Sequence, residues 1–327
     1  MRALVTGSSG HLGEALVRKL QAAGRVVLGI DVKPSAFTGV VGDIAEPGLV
    51  KDCMGGVDTV FHTATLHKPH VATHSLQDFI DTNISGTGVL LDAAVRAGVK
   101  QFVFTSTTSV YGHAMRPPAD QPAVWVDEAV SPVPRNIYGV SKRAAEDLCE
   151  LFQRRHGLPC IVLRTSRFFP EEDDQREVRE AFSGDNTKTN EFLYRRVDIA
   201  DVVEAHLLAE QRAAQLGFGR YIISAPSPFR REDLARLRHA APAVLEERVP
   251  EYRAIYESLG WRMFEGIDRV YDSSAAQRDL RWRPTFDFRH VLSLAAAGEL
   301  PRSELAAAVG SKGYHEQVFE DGPFPVE

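Results

Sequence analysis

The chain opens on a short apolar run, Arg2-Ala3-Leu4-Val5-Thr6, which predicts a buried strand because glycine follows it at once. Gly7-Ser8-Ser9-Gly10-His11-Leu12-Gly13 comes next. From residue 14 to residue 23 the apolar positions recur at helical spacing, and Gly24 closes that helix. Residues 25–31 predict a second buried strand that ends in a carboxylate, Asp31. Further along, the pattern predicts a central strand over 57–64, a long helix within 76–97, a strand over 98–105 and another over 220–224. Strands alternating with helices at this spacing imply an α/β protein, with a parallel sheet covered on both faces and ligands at the carboxyl ends of the strands. The stretch from Arg230 onward reads as helical and arginine-rich, and the closing Gly322-Pro323-Phe324-Pro325 as irregular.

The first glycine turn carries chemistry. Gly7, Gly10 and Gly13 fall three residues apart between a strand and a helix, which lets the backbone approach a pyrophosphate and turns a helix amino end towards it. Asp31 stands where an acidic side chain accepts both hydroxyls of an adenosine ribose and repels a 2′-phosphate, so NAD is favoured over NADP. Lys33, two residues on, softens that preference.

A second constellation lies in Asn136-Ile137-Tyr138-Gly139-Val140-Ser141-Lys142. Four residues of helix make Tyr138 and Lys142 neighbours on one face. A cation within about 4–6 Å favours the phenolate by roughly one to three units, towards the range of a general base.

Taken together, Thr6-Gly7-x-x-Gly10-x-x-Gly13, Asp31, Asp43-Ile44, Asn83, Thr105-Ser106-Thr107 and Tyr138-x-x-x-Lys142 resemble the extended short-chain dehydrogenase/reductases, the NAD-dependent sugar epimerase/dehydratase family. Residues 195–203 and 276–284 are similar to later signatures of that family, so the likeness covers nearly the whole length. The resemblance implies a Rossmann fold, a doubly wound parallel sheet formed by residues 1–165 and 197–225. A smaller, mostly helical substrate lobe would come from 166–196 and 226–327. It implies that His11 and Leu12 join the glycines at the cofactor, that Asp43 and Ile44 bracket the adenine, and that Thr63, Ala64 and Thr65 run along the dinucleotide. Asn83 would support the nicotinamide side, with Thr105, Ser106 and Ser166 also at the cofactor. Thr107 takes the place of the catalytic serine or threonine, Ser106 being the runner-up, while Lys142 binds the nicotinamide ribose. Helix pairing across a two-fold axis in the family makes a homodimer the expectation.

Composition narrows the partners. A chain of 327 residues that is 44% apolar can bury a large core, and a net charge of −6 gives no electrostatic reason to expect nucleic acid. No apolar run reaches the roughly 20 residues of a membrane helix, and no signal peptide is expected ahead of the first strand. Cys53, Cys149 and Cys160 have no metal-ligand spacing, so no metal and a reduced, cytoplasmic setting are expected.

Departures from the family speak to substrate. Members that dehydrate nucleotide sugars carry an aspartate and a glutamate directly after the catalytic threonine, where this chain has Thr108 and Ser109. Only residues 171–196 separate Pro170 from the Val197-Asp198 motif, and they begin with Glu171, Glu172, Asp173 and Asp174. That acidic run reads as a solvated turn and a poor cradle for a diphosphate, so the nucleotide clamp is expected to be reduced and the substrate to be a small carbohydrate. His67, Lys68, His70, Thr107 and Arg167 are the candidate substrate contacts, Arg167 as a carboxylate fork. The proline-bearing connection over 116–134 reads as a lid or substrate loop. Three functions remain: an NAD-dependent dehydrogenase of a sugar or sugar acid, a nucleotide-sugar 4-epimerase using the same residues, and an NAD-sensing protein without catalysis.

Overall fold

The computed structural model describes residues 1–313 together with His315 and Phe319; the run Gly322-Pro323-Phe324-Pro325 lies outside the described residues. Seven strands form one parallel sheet: β1 Arg2–Thr6, β2 Val26–Asp31, β3 Val40–Val41, β4 Thr59–His62, β5 Gln101–Thr107, β7 Cys160–Thr165 and β8 Phe218–Ile223. Their order is β3-β2-β1-β4-β5-β7-β8, so the winding reverses between β1 and β4. Such a reversal opens a crevice at the carboxyl ends of the strands. The central strands β4 and β7 are buried along their whole length, as strands covered on both faces must be.

Each face of the sheet has its own core. On one, Leu12, Leu16 and Leu20 of the His11–Ala22 helix meet Val202, Ala205 and Ala209 of the Ile199–Leu216 helix. On the other, Leu90, Leu91 and Ala94 of the Gly86–Ala97 helix pack with Ala145 and Cys149 of the Ile137–His156 helix. That last helix starts where the Asn136 side chain accepts the Gly139 N–H at 3.2 Å and stops at Gly157 in the left-handed conformation.

The long helix expected within 76–97 is interrupted. Leu76–Phe79 leads into a π-helical turn, Ile80–Ser85, before Gly86–Ala97 resumes. The Thr87 hydroxyl donates to the Asn83 carbonyl at 2.7 Å, a side-chain bond at the point where the helix resumes.

A third core belongs to the smaller lobe, where Leu193, Leu237, Val244, Leu245, Val270 and Leu292 come together. Residues 274–282 and 304–309, expected in that lobe, instead pack on the dinucleotide half: Trp282 is fully buried and donates its indole N–H to the Asp201 carbonyl at 2.9 Å. The proline-bearing connection is not all loop. It carries β6 Val124–Val126, which pairs in parallel with β9 Arg269–Tyr271 and so fastens the connection to the lobe. All three cysteines are unpaired and buried. No helix among the described residues is long and apolar enough to cross a membrane.

Candidate active site

A cleft of about 1240 Å³ runs along the carboxyl ends of the strands. Gly7 sits at φ +72°, and a side chain there would approach the Ala64 nitrogen to 2.7 Å. At Gly13 a Cβ would come within 1.9 Å of the Gly7 carbonyl oxygen. The turn is therefore packed to a density only glycine allows, and it leaves backbone facing the cleft beside His11 and Leu12. Asp31 closes β2 and accepts the Ser9 N–H at 3.0 Å and the Lys33 N–H at 2.9 Å, which fixes its carboxylate at the cleft wall. Asp43, Ile44, Thr63, Ala64 and Thr65 line the same wall. The Ser166 hydroxyl is buried, faces the cleft and has no hydrogen-bond partner, as a donor reserved for a ligand would be. These features fit a dinucleotide.

Asn83 stands behind this wall. Its amide accepts from the Thr65 hydroxyl at 2.9 Å and the Leu66 N–H at 2.8 Å, and donates to the Leu66 carbonyl and the Ser141 hydroxyl. It thus ties the 63–66 loop to the Ile137–His156 helix without lining the cleft.

At the other end, the Thr107 hydroxyl stands beside Tyr138 and accepts the Ser109 N–H at 3.1 Å. The three hydroxyls of the β5 end diverge: Thr105 is bonded to His206 at 2.7 Å and Ser106 to Glu146 at 2.6 Å, so Thr107 is the one turned to the tyrosine. The Tyr138 ring lies 5.1 Å from the His67 ring. Burial holds His67 well below the ordinary imidazole range, with the neighbouring His70 adding to the effect, so it is neutral.

One electrostatic expectation does not hold in this structure. The Tyr138 hydroxyl is pushed up, not down, because burial outweighs the help of the neighbouring Thr107 hydroxyl. Lys142 spends its charge elsewhere: its Nζ sits 4.0 Å over the Phe104 ring, and burial brings its own value down to about 7 against the opposing pull of Cys149 and Glu146.

The acidic run is not a solvated turn. Glu171 accepts from His11 at 2.8 Å, Asp173 from Arg167 at 2.8 Å and Arg195 at 2.9 Å, and Asp174 pairs with Lys68. These three carboxylates, though not the exposed Glu172, are drawn to bases at the cleft mouth. The same pairs correct the expected roles of Lys68 and Arg167. Arg167 is already neutralised by Asp173 and by Glu191 at 3.1 Å, so it is no open fork for a substrate carboxylate. His70 lines the cleft and accepts the His67 N–H at 2.9 Å.

Sequence reasoning missed Arg116, Arg135 and Arg269, which line the substrate end of the cleft. Isolated arginines in loops and in a three-residue strand carry no periodic signal. Glu146 was also missed, although its position one turn beyond Lys142 was visible.

The NAD dependent epimerase/dehydratase family matches residues 3–223 of the chain. A dTDP-glucose 4,6-dehydratase of Streptomyces antibioticus is 35% identical over 186 residues, 51% of this chain and 53% of that protein. A UDP-glucose 4-epimerase of Streptomyces lividans is 28% identical over 309 residues, 79% of this chain and 90% of that protein. The first curated relatives are matched over only about half their length, 40%, 53% and 55%. Among solved structures, a short-chain dehydrogenase/reductase superfamily protein of Agrobacterium tumefaciens with bound NAD superimposes with a TM-score of 0.64 at 25% identity, covering 91% of this chain and 96% of the other. The chain belongs to the NAD-dependent epimerase/dehydratase family, and its cofactor is NAD.

Proposed function

We propose that the protein is an NAD-dependent oxidoreductase that removes hydride from a hydroxyl-bearing carbon of a small sugar or sugar-acid-like substrate. One observation carries the reading: Glu171, Asp173 and Asp174 fold into the cleft mouth, their carboxylates committed to His11, Arg167 and Lys68. A mouth narrowed by this folded-in run favours a compact substrate over one that carries a nucleotide. Thr108 and Ser109 offer no acid for eliminating water, which speaks against dehydration.

The chain's own groups divide the work. Tyr138 takes the proton of the substrate hydroxyl at its phenolic oxygen. Thr107 orients that hydroxyl through its own, and Lys142, one turn along the same helix, would hold the nicotinamide ribose. His67, neutral, tilted against Tyr138 and edge-on to Phe169, excludes water from the phenol. NAD, when bound, accepts the hydride. A homodimer through the Gly86–Ala97 and Ile137–His156 helices belongs to the same proposal.

A second reading, a nucleotide-sugar 4-epimerase, draws on the extended similarity to the Streptomyces lividans enzyme. An epimerase returns the hydride and releases no NADH. Assaying aldoses, uronates and nucleotide sugars for NADH appearance separates the two: net NADH with a small sugar supports the dehydrogenase. Conversion of a nucleotide sugar without NADH release overturns it.

A further inference from the structure

Three arginines from three separate segments line the same cleft. Arg116 follows the His113–Met115 turn beyond β5, Arg135 immediately precedes the catalytic helix, and Arg269 opens β9. The backbone brings these segments together. The His113 N–H donates to the Val133 carbonyl at 2.8 Å, and Gly112 is so close that a Cβ there would lie 2.8 Å from the Arg135 nitrogen. Arg269 is brought in by β9, whose Tyr271 hydroxyl reaches the Met115 sulfur at 3.2 Å. Its guanidinium lies 5.8 Å from the Tyr194 ring centre and 5.9 Å from that of Tyr271.

This cluster is under-neutralised. Among the described residues, Arg116 and Arg135 form no ion pair and no side-chain hydrogen bond, and Arg269 has only the adjacent Asp268, at 2.8 Å. Partial desolvation against the cleft wall first, and then the positive charges of Arg135 and Arg269, hold Arg116 below the ordinary arginine range against the weaker pull of Asp268 and Asp174. The other cationic side chains nearby differ. Lys68, Arg167 and Arg195 are each paired with acids of the 171–174 run or with Glu191. Like charges gathered in one wall repel each other unless an anion lies between them, and planar guanidiniums match carboxylate or phosphate oxygens in pairs.

From this geometry we infer that the substrate carries an anionic substituent, a carboxylate or a phosphate, which Arg116 and Arg135 bind with Arg269 behind them. The inference rests on the proposed function for the reacting end of the substrate. Its own content is the far end. The site lies within the same cleft as Tyr138 and Thr107, so the oxidised carbon and the anion belong to one small molecule.

Calorimetric titration of the full chain in the presence of NADH tests it, with glucuronate, glucose 6-phosphate, UDP-glucose and glucose as probes. At least one anionic probe should bind about tenfold or more tighter than glucose, since a charge-assisted contact is worth that factor. The arm that binds identifies the source: carboxylate, monophosphate or diphosphate. In Arg116→Gln/Arg135→Gln that preference should fall to within about threefold of glucose, with the thermal midpoint unchanged because both side chains are exposed. Equal binding of glucose and the anions, no binding of any anion, or an unaltered preference in the double variant overturns the inference. Binding is read without turnover, so the inference can stand or fall even if no probe is oxidised.

Discussion

Arg164 holds Glu146 with two arms: Nη2 lies 2.7 Å from Oε2 and Nε 3.0 Å from Oε1, and both side chains are shut off from solvent. The pair joins β7 to the catalytic helix. Glu146 also accepts the Ser106 hydroxyl at 2.6 Å, and Arg164 donates to the Tyr111 hydroxyl at 3.0 Å, so the end of β5 is bound into the same network. Lys142 stands one helical turn away.

Removing one partner should therefore be severe. Glu146→Ala leaves a buried guanidinium with its strongest partner gone and should cost about 3–5 kcal/mol. Arg164→Met added to it should recover much of that loss, since neither charge is then stranded. Urea unfolding of the three proteins reads this directly. A single variant that loses less than about 1 kcal/mol would show that the network does not hold the site together.

Lys142 makes the empty site pH-sensitive. Its value in the fold is about 7, against about 10.4 for an exposed lysine, because burial disfavours the ammonium. Between those two values the unfolded chain binds more protons than the folded one, so stability rises with pH across that window. Below about 7 the penalty is fully present. Lys142→Met should remove the slope and stabilise the cofactor-free protein near neutrality by on the order of 4 kcal/mol, while losing activity. Unfolding curves near pH 6.5 and pH 9.5 decide it; a wild-type protein no more stable at the higher value contradicts the assignment.

The diverging hydroxyls of β5 predict a division among variants. Thr107→Ala and Tyr138→Phe should each lower turnover by about 10²- to 10⁴-fold with NADH affinity kept, because they touch the reacting oxygen. Ser106→Ala should act through stability, its hydroxyl being spent on Glu146. Turnover and unfolding midpoints measured on all three sort them. A Ser106→Ala enzyme that is as stable as wild type yet inactive would reassign the role.

Much of this site was legible in the chain because its signals are local. Gly7, Gly10 and Gly13, Asp31, and the Tyr138 and Lys142 pair each follow from a spacing of three or four residues or from a strand end, and the cleft holds them all. What escaped was decided across distance. The run 171–174 has the composition of a solvated turn, and only the arrival of His11 and Lys68, each more than a hundred residues away in the chain, draws it inward. The arginine cluster depends on β6 pairing with β9, a two-stranded sheet between segments too short to show a period. Tyr138 failed in the other direction: helical spacing made Lys142 its neighbour, but spacing says nothing of how strongly burial opposes ionisation.

The glycine turn offers a final test, because two glycines of the first strand-helix-strand unit have opposite surroundings. A Cβ at Gly13 would lie 1.9 Å from the Gly7 oxygen and 2.5 Å from its carbonyl carbon, so Gly13→Ala must push the turn out of shape. Gly24 is at φ +72° with nothing within 4 Å of an added Cβ, so Gly24→Ala meets only the left-handed backbone penalty of about 1 kcal/mol. The first variant should lose NADH affinity by well over tenfold, since the displaced backbone is the wall that meets the phosphates. The second should keep wild-type affinity and melt a few degrees lower, about what 1 kcal/mol gives a chain of this size. Fluorescence titration of NADH beside thermal unfolding separates a damaged cradle from a loosened helix end, and equal NADH affinity in both variants would remove the turn from the cofactor site.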